Sequence, residues 1–385
     1  MGVDLHNQPA IYGFPIHGVS KMVMEGYRTR DGHLIEWLGR LCEDVGPLSV
    51  VSRPEPLVKS LLGRLRPGYR SSLARNTTYQ SKLTLQLPDF SDRYRWWLDS
   101  ARLYPQLQHL SVVPSVVWNP FIGMSRYWAE MKTSSAPVLF DLLDDWTVHY
   151  SFGGIRREID LTYRKMFDVA AVVTANSEAT AELARRFGRD DVVSLFNGCD
   201  PDRFTTRHNG SGQITVGYVG KIGERVDVDL VVHMATVHPA VRFVFAGPIL
   251  DGDFRERVAS LGNVVMLGDV HYDRVPDLLS TFDLGWVPHK TGVGEVGGDV
   301  LKTYEYRASG LPVLTTPILG VGDRGLGAVH IVPAMQQPEW LVEFIGGSSR
   351  ISRSISVLPE SVTWEHKART MYRLLGLSSA NESLG

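Results

Sequence analysis

Short apolar runs alternate with amphipathic stretches along most of the chain. The runs are rich in Val, Ile and Phe and have the length of buried strands, whereas the stretches between them carry apolar residues at helical spacing. Residues 26–43, for example, predict a helix with Leu34, Leu38 and Leu41 on one face. Alternation of this kind is typical of repeated strand–helix–strand units and of parallel sheets.

The alternation occurs twice, and each half predicts an α/β, doubly wound, Rossmann-like domain. In the first half we expect strands at residues 10–16, 48–51, 82–87, 112–118, 138–143, 169–174 and 192–196. In the second half we expect strands at residues 214–219, 241–246, 264–267, 284–287, 313–316 and 330–332. The first five of these are separated by predicted helices at residues 227–237, 253–261, 275–281 and 299–309.

A polar stretch, TTRHNGSGQ, divides the two halves. We therefore expect an N-terminal, acceptor-side domain at residues 1–204, a linker at 205–213 and a C-terminal, donor-side domain at 214–362. Residues 363–385 form an amphipathic helix and a tail, and this helix can return to the first domain. Ligands of open parallel sheets lie beyond the carboxyl ends of the strands, so two such domains would face a central cleft.

The 385 residues include 40 Lys and Arg and 42 Asp and Glu, a formal net charge of -2. With no overall positive charge we expect no nucleic-acid partner, and an anionic ligand must be met by local charge. No run reaches the roughly 18 apolar residues of a membrane span, the first residues lack a signal-peptide pattern, and Cys42 and Cys199 show no metal-ligand spacing. We therefore expect a cytoplasmic protein without a metal site.

The most distinctive segment is FDLGWVPHKTGVGEVGGDVLKTYEYRASGLPVLTTP, residues 282–317. Here a predicted strand is followed by a glycine-rich loop and by a helix that carries Lys302 and Glu305. Backbone amides of such a loop and the partial positive charge of a helix N-terminus suit a phosphate or diphosphate. Glu305 is placed to accept hydrogen bonds from sugar or ribose hydroxyls. The alternative is an exposed Lys302–Glu305 ion pair.

Several segments in order resemble GT-B glycosyltransferases of the family 4 type (glycosyl transferases group 1). They are NGCD and RF within residues 197–204, GYVG at 217–220, FAGP at 245–248, NVVMLGDV at 263–270, FD at 282–283 and KTYEYRASGLP at 302–312. DLLDDW at 141–146 is similar to a motif of a bacterial subgroup that includes teichuronic acid and other polysaccharide transferases. The resemblance implies transfer of a sugar, with retention and without a metal ion or other cofactor, from a UDP-, GDP- or dTDP-sugar to an acceptor hydroxyl or amine.

The resemblance places the donor mainly on the second domain. The basic pair that contacts the diphosphate in the family corresponds to Lys221 and Arg225, beside Gly220, although their spacing is shorter than in many relatives. A solvated turn is the alternative. Lys302 is assigned to the diphosphate or to the sugar, and Gly18, after the first strand, to a loop that passes near the diphosphate; ordinary turn chemistry is the alternative for Gly18.

Glu305 matches the second glutamate of the family's two-glutamate motif, whose role is to bind ribose hydroxyls. Gly297 stands where the first glutamate is expected. Either Glu295 reaches the donor sugar from a rearranged loop, or Gly297, Gly298 and Asp299 contact it through backbone amides and the Asp299 carboxylate. We prefer the second arrangement, because a glycine pair beside a helix start suits amide contacts.

Asp144 and Asp145 follow a predicted strand of the first domain. Since adjacent residues of an extended chain point to opposite faces, one would face the acceptor and take its proton, and we prefer Asp145. The alternative is that both cap a helix start. His149 is a second candidate, because many relatives carry a histidine near this strand end. With retention, the leaving phosphate itself helps to deprotonate the acceptor.

Basic residues concentrate at residues 53–79, which contain Arg53, Lys59, Arg64, Arg66, Arg70 and Arg75. Such a segment suits weak contact with anionic lipid or with a phosphorylated acceptor, although a solvated helix and loop is the explanation we prefer.

The function predicted from these features is that of a glycosyltransferase acting on a glycan, a lipid-linked acceptor or a natural product. Two alternatives are a GT-B nucleotide-sugar epimerase and a non-catalytic GT-B partner subunit. The missing first glutamate is the main support for the second alternative.

Overall fold

The structure, a computed structural model, describes residues 8–57, 73–89, 92–292 and 294–378. These residues form two compact units, each built on a parallel β-sheet. Unit 1 comprises the described residues up to Phe196, the three residues Val296–Gly298, and the C-terminal segment from Trp364. Unit 2 comprises the described residues between Asn197 and Thr363 except those three.

Unit 1 contains strands whose central members are buried along their whole length. Its described strands are β1 Ile11–Phe14, β2 Leu48–Val51, β3 Glu55–Pro56, β4 Thr77–Gln80, β5 Leu83–Thr84, β6 Ser115–Val117, β7 Val138–Leu142, β8 Val172–Ala175 and β9 Val192–Ser194. β3 pairs only with β5, and the others form one sheet in the order β4-β2-β1-β6-β7-β8-β9. Every residue of β1, β2, β6 and β7 is buried, because helices cover both faces of such a sheet.

Unit 2 repeats the pattern. Its described strands are β10 Thr215–Val219, β11 Arg242–Ala246, β12 Val264–Gly268, β13 Leu284–Val287, β14 Val313–Thr315 and β15 Val329–Ile331. They run parallel in the order β12-β11-β10-β13-β14-β15. The core of the unit is apolar and aromatic, with Tyr218, Phe243, Phe245 and Trp286 in one buried cluster.

The helices connect and cover these strands. Those described are α1 Val19–Glu25, α2 Arg30–Leu41, α3 Trp96–Asp99, α4 Tyr127–Lys132, α5 Arg156–Val169, α6 Glu178–Arg186, α7 Val228–Val237, α8 Gly252–Val258, α9 Val275–Ser280, α10 Leu301–Ala308, α11 Gln337–Ile345 and α12 Trp364–Leu374. Among the described residues, no helix combines the length and the apolar character that crossing a membrane requires.

The C-terminal helix α12 is grouped with unit 1. It packs on α2, where the ring of Trp364 stacks on that of His33 with centroids 5.0 Å apart. The two α/β units with parallel sheets agree with the predicted fold class.

One predicted strand needs correction. The strand predicted at residues 82–87 is wrong: the edge strand is β4, and only Leu83 and Thr84 of the predicted run pair with another strand. Leu85 is 84% exposed, so the apolar–polar alternation marks an exposed segment there.

Residues 205–213, the predicted linker, are grouped with unit 2, where the Asn209 amide donates to the Ser280 carbonyl at 2.8 Å. The domain boundaries stay a prediction.

A buried ion pair ties the start of α2 to the carboxyl end of β7. Arg30 donates to Asp141 through Nε at 2.8 Å and through a terminal nitrogen at 3.0 Å, and both side chains are almost fully buried. Asp141 also accepts hydrogen bonds from Trp118 Nε1 at 2.8 Å and from Thr174 Oγ1 at 2.6 Å. The carboxylate therefore connects α2 and the ends of three neighbouring strands.

Replacing this carboxylate should destabilise the protein strongly. Asp141→Asn keeps the shape of the side chain but leaves the Arg30 guanidinium buried without a counter-charge, so we expect the free energy of unfolding to fall by about 3–5 kcal/mol. Urea denaturation measures the change. The matched control is Asp168→Asn, which breaks an exposed pair with Lys132 (2.9 Å) and should cost no more than about 1 kcal/mol. Equal losses in the two variants would contradict the role of the buried pair.

Candidate functional site

In each unit the winding of the sheet reverses at one pair of neighbouring strands, β1 and β6 in unit 1 and β10 and β13 in unit 2. The loops that leave the carboxyl ends of such strands diverge, and ligands of doubly wound sheets bind at this point. In unit 2 these loops carry Lys221, Arg225 and His289, and in unit 1 the loop after β1 carries His17 and Gly18.

Lys302, in the first turn of α10, lies across Gly220 at the end of β10. A Cβ atom on Gly220 would lie only 2.3 Å from Lys302 Cε, which shows how closely the lysine side chain passes over this residue. The φ angle of Gly220 is 151°, a conformation that favours glycine. Lys302 Nζ lies 5.2 Å from the centre of the Tyr218 ring, within range of a cation–π contact. The structure thus brings the Lys302 ammonium to the strand reversal of unit 2.

The loops after β10 and β11 form one hydrogen-bonded rim. The Gly220 amide donates to the Ala246 carbonyl at 2.8 Å, and the Ile222 amide donates to the Pro248 carbonyl at 3.0 Å. A Cβ atom on Gly247 would lie 1.9 Å from the Gly220 carbonyl oxygen. Glycine at position 247 therefore permits this close approach of the two loops.

His289 lies buried beside this rim, with 8% of its surface exposed. Its Nε2 atom is 3.2 Å from the hydroxyl of Tyr218, which donates to the Lys221 carbonyl at 2.9 Å. Burial first, and then the charges of Lys302 and Arg225, hold the pKa of His289 well below its usual value. The imidazole is therefore neutral, and the positive charge at this edge comes from the lysine and arginine side chains.

Lys221 and Arg225 are exposed side chains on the loop after β10. The Lys290 amide donates to the Arg225 carbonyl at 2.8 Å, which joins the loops on the two sides of the strand reversal. The charges of Arg225 and Lys302 both lower the pKa of His289, so both cationic groups lie near this histidine. An arrangement of this kind suits an anion with several acceptor oxygens. Among the described residues, no group of His, Cys, Asp and Glu side chains is placed to hold a metal ion.

Glu305 is one turn beyond Lys302 but is only 4% exposed. It lies near Tyr272, in the loop after β12: burial first, and then the charge of Glu305, raise the pKa of Tyr272 well above its usual value. Arg203, which pairs with Asp200 at 3.0 Å, lies 5.7 Å from the centre of the same ring. The burial of Glu305 argues against the alternative of an exposed Lys302–Glu305 pair.

Glu295 and Asp299 are the candidates to replace the family glutamate that is missing at position 297. Both carboxylates stabilise loops of unit 2. Glu295 accepts hydrogen bonds from the amides of Gly292 and Leu319. Asp299 accepts hydrogen bonds from three groups, the Asn197 amide at 2.7 Å, the Val300 amide at 3.0 Å and the Tyr304 hydroxyl at 2.6 Å. These contacts favour a structural role for both residues over contact with a donor sugar.

Gly297 and Gly298 are explained by packing within unit 1. Gly297 has a φ angle of 70°, and a Cβ atom there would lie 2.5 Å from the Cβ atom of Ala179. A Cβ atom on Gly298 would lie 2.5 Å from the Leu143 carbonyl oxygen, and Ser177 Oγ donates to the Gly297 carbonyl. A glutamate at position 297 would not fit this packing, which accounts for the departure from the family pattern.

The sequence analysis prefers Asp145 as the group that takes the acceptor proton. In the structure its carboxylate makes hydrogen bonds and an ion pair within unit 1. It accepts hydrogen bonds from the amide and the hydroxyl of Thr147 and pairs with Arg186. Its own amide donates to the Val296 carbonyl at 2.7 Å. This pattern favours the capping alternative for Asp145. The Asp144 side chain lies against Gly298, with Oδ1 2.2 Å from the position that a Cβ atom there would occupy.

His149 lies in a cluster of aromatic side chains. Its ring centre is 5.4 Å from that of Phe152, which stacks on Trp146 at 5.0 Å. Trp97 belongs to the same cluster, and the Arg53 guanidinium lies 3.7 Å from its ring centre. These contacts indicate that Trp97 packs within the aromatic cluster.

The basic segment at residues 53–79 is described only at its ends. Arg53 stacks on an aromatic ring, and Arg75 pairs with Glu43. Lys59, Arg64, Arg66 and Arg70 lie outside the described residues. Contact of this segment with a lipid surface stays a prediction.

Sequence reasoning missed His17. Its Nδ1 atom is 3.3 Å from Asp31 Oδ2, and its amide donates to the same oxygen. Burial alone would raise the pKa of Asp31, but the charge of His17 and the hydrogen bonds that the carboxylate accepts lower it below its usual value. A histidine directly after a strand and an aspartate at the following helix start were the available signals.

Gly18 follows His17 and has an extended backbone, with a φ angle of -65°. A Cβ atom on Gly18 would lie 2.4 Å from Glu55 Oε1. The next amide, that of Val19, donates to Ser52 Oγ at 3.0 Å. Glycine thus lets the loop after β1 lie close to the loop after β2, at the strand reversal of unit 1.

Solved structures resemble the chain over nearly its whole length. Sucrose-phosphate synthase from Thermosynechococcus elongatus matches with a TM-score of 0.70 and 15% identity, covering 95% of this chain and 98% of that one. Anabaena Alr3699/HepE, in a crystal structure with UDP and glucose, matches with a TM-score of 0.61 and 14% identity. The match covers 96% of this chain and 100% of that one. The fold is GT-B. A trehalose-6-phosphate synthase, studied for glycosyl transfer with retention, matches this GT-B chain with a TM-score of 0.62 and 12% identity, covering 95% and 99%.

One curated protein is similar in sequence to this GT-B chain. It is the "Putative teichuronic acid biosynthesis glycosyltransferase TuaH" of Bacillus subtilis (strain 168), 27% identical over 139 residues. The match covers 34% of this chain and 35% of that protein, so the similarity spans about a third of each. No protein-family model matches the chain. These similarities confirm the resemblance to GT-B glycosyltransferases inferred from the motifs.

Because His289 in unit 2 is neutral, it makes the free energy of unfolding depend on pH. The native state keeps the ring uncharged, whereas in the unfolded chain it gains a proton below a pKa of about 6.5, so this residue lowers stability as the pH falls below that value. His289→Gln removes the titrating group. We expect the difference in the free energy of unfolding, variant minus wild type, to increase by up to about 1.4 kcal/mol for each pH unit below about pH 6.5. Guanidinium titrations near pH 7 and pH 5 measure this, and parallel losses in both proteins would show that His289 is charged in the native state.

Proposed function

We propose that the protein transfers a sugar from a nucleoside-diphosphate sugar to an acceptor hydroxyl or amine, with retention of anomeric configuration. The observation that carries the proposal is that the charges of Lys302 and Arg225 both act on His289 at the strand reversal of a GT-B unit, with Lys221 on the same loop as Arg225. When the bond between the sugar and the diphosphate breaks, negative charge develops on the leaving group. Cationic side chains already in place stabilise that charge.

Of the three basic residues that we assign to the diphosphate, Lys302 has the best geometric support. Its side chain is held over Gly220 and beside the ring of Tyr218, so its ammonium stands at the end of β10 before a ligand arrives. Lys221 and Arg225 are exposed side chains that can close on the same anion. A preorganised cation with two exposed cationic side chains on a neighbouring loop suits a charge that grows during the reaction.

Glu305 is assigned to the ribose hydroxyls of the donor. It stands on the same helix as Lys302, one turn further on, and beside Tyr272 at the carboxyl edge of the sheet. A carboxylate accepts two hydrogen bonds from neighbouring hydroxyls, which is the geometry of a ribose diol. The diphosphate and the ribose would thus be bound by neighbouring turns of α10.

UDP-sugars are the first donors to test, since the similar HepE structure contains UDP and glucose. Retention is proposed because a structurally similar synthase was studied for transfer with retention. A glycan or lipid-linked acceptor is the first acceptor class to test, since the curated relative is named for teichuronic acid biosynthesis. No metal ion or other cofactor is part of the proposal.

A thermal-shift screen tests the nucleotide. UDP, GDP, dTDP and ADP are added separately, and the base that the site recognises should raise the melting temperature most, because a ligand that binds only the native state stabilises it. The donor with that base is then incubated with and without acceptors. Conversion of the donor alone to an epimer would favour the epimerase. Tight donor binding without turnover across broad acceptors would favour the non-catalytic subunit.

Substitutions in α10 test the assigned residues. Lys302→Ala and Glu305→Gln should each weaken binding of the nucleoside diphosphate by about 10- to 100-fold in calorimetry, because a hydrogen bond to a charged group is worth about 1.5–3 kcal/mol. The control is Arg257→Ala, which removes an arginine of unit 2 that pairs with Asp229 on the neighbouring helix. The control should bind as the wild type does. Unchanged affinity in the Lys302 and Glu305 variants would refute the assignment.

A further inference from the structure

A stacked arginine lies at the carboxyl edge of unit 1. Arg53 is two residues beyond the end of β2, and its guanidinium lies over the ring of Trp97, 3.7 Å from the ring centre. Arg53 is partly exposed, so a ligand can reach it from solvent. Stacking fixes the plane of the guanidinium, and its N–H bonds lie in that plane.

The arginine is placed beside the strand reversal of unit 1. The strands there run in the order β2-β1-β6, so the loops after β2 and β6 flank the end of β1. Ser52 Oγ, directly before Arg53, accepts a hydrogen bond from the Val19 amide, at the start of α1, at 3.0 Å. On the other side the Asn119 amide donates to the Phe14 carbonyl, at the end of β1, at 3.2 Å. Arg53 therefore lies where ligands of a doubly wound sheet contact the loops.

Two hydrogen-bond donors at this place have no acceptor in the part of the chain that the structure describes. The Arg53 guanidinium donates no hydrogen bond to a described residue and pairs with no carboxylate among them. Burial raises the pKa of Tyr104 above its usual value, and the charge of Arg53 opposes this, so the two groups lie near each other. The buried Tyr104 hydroxyl accepts a hydrogen bond from Asn119 Nδ2 at 3.1 Å and donates none to the described residues.

The charge of Arg53 is only partly compensated within unit 1. Burial lowers the pKa of its guanidinium, and the nearby Tyr104 and Glu55 oppose this. Glu55 does not pair with Arg53 but accepts a hydrogen bond from the Ser20 hydroxyl at 3.1 Å. Since an arginine side chain does not lose its proton in proteins, a positive charge stays at this edge of the sheet.

We propose that Arg53 and Tyr104 form a subsite for an oxyanion, a phosphate or a carboxylate, that the acceptor carries. The inference rests on the proposed function and names the class of acceptor. Such a group supplies the acceptor oxygens that the two donors need, and a guanidinium binds two of them through parallel N–H bonds. A phosphate and a carboxylate offer this same chemistry, so the experiment tests both.

Binding of an oxyanion is measured first, without turnover. The full-length protein is titrated with inorganic phosphate and, separately, with acetate, at an ionic strength kept constant with chloride, and the arginine Nε–H signals are followed by ¹⁵N NMR. The signal that is missing in Arg53→Gln identifies Arg53. We expect it to shift and to saturate with at least one of the two ions. The matched control is Arg40, which lies over Trp37 at 4.5 Å, is identified by Arg40→Gln and should not shift.

Transfer to paired acceptors then tests the role in the reaction. The pairs are an acidic glycan with its carboxyl-reduced form, and a glycan phosphate with its dephosphorylated form. Arg53→Gln should raise the KM for the anionic member that the wild type uses by about 10- to 100-fold and leave the KM for its neutral partner unchanged. Arg53→Lys keeps the charge but not the planar pair of donors, so its KM should lie between.

Two further variants complete the series. Tyr104→Phe removes the phenolic hydrogen and should raise the same KM by about 3- to 10-fold. Arg40→Gln, which removes the other stacked guanidinium, should leave both acceptors at their wild-type KM. Affinity for UDP at the wild-type value in each variant is the control for folding.

A different pattern overturns the inference alone. Equal effects of Arg53→Gln on both members of a pair would show that Arg53 serves only the packing on Trp97. Unchanged kinetics in Arg53→Gln, or a wild type that uses anionic and neutral acceptors equally well, would overturn it too, and a phosphate shift beside such a result would mark an adventitious ion only. A wild-type protein that binds no nucleoside diphosphate and turns over no donor overturns the proposed function, while the titration still decides whether Arg53 binds an oxyanion.

Discussion

The ion pair between Arg30 and Asp141 determines how the carboxyl edge of unit 1 is assembled. Two opposite charges are buried there, and each is stable only while the other is in contact, so the start of α2 has one position over the sheet. The residue after Arg30 is Asp31, whose carboxylate accepts hydrogen bonds from the amides of Ile16 and His17 and so holds the loop after β1. The placement of His17 therefore depends on an ion pair that is anchored at β7, two strands away.

Buried aspartates serve as hubs in both units. Asp141 and Asp145 accept hydrogen bonds from separate elements of unit 1, and Asp283 does the same in unit 2, where it accepts from the Thr215 amide and from Arg350, both at 2.8 Å. A carboxylate engaged in this way satisfies several amides that the loops at strand ends leave without partners. Because these aspartates are engaged in holding loops, the binding groups of the proposed site are Lys302, Arg225 and Glu305 of unit 2.

The sequence predicted the sheet cores well and the packing of distant segments poorly. β1, β2 and β7 were predictable because strands buried on both faces are continuously apolar. β4 was missed, because TTYQ at a sheet edge has no such run. The Asx contact of Asp145 with Thr147 is local and could have been expected, but its pairing with Arg186 is 41 residues distant. The role of Gly297 depends on Ser177, 120 residues away, and no local pattern shows it.

Packing at Gly297 also bears on whether the chain is an enzyme. A glycine in place of a family glutamate would support a non-catalytic subunit if the rest of the site had decayed as well. Here the glycine is required by contacts with Ala179 and Ser177, and Lys302 is still held in place over Gly220. A substitution that tight packing explains is not evidence that selection for catalysis has ceased.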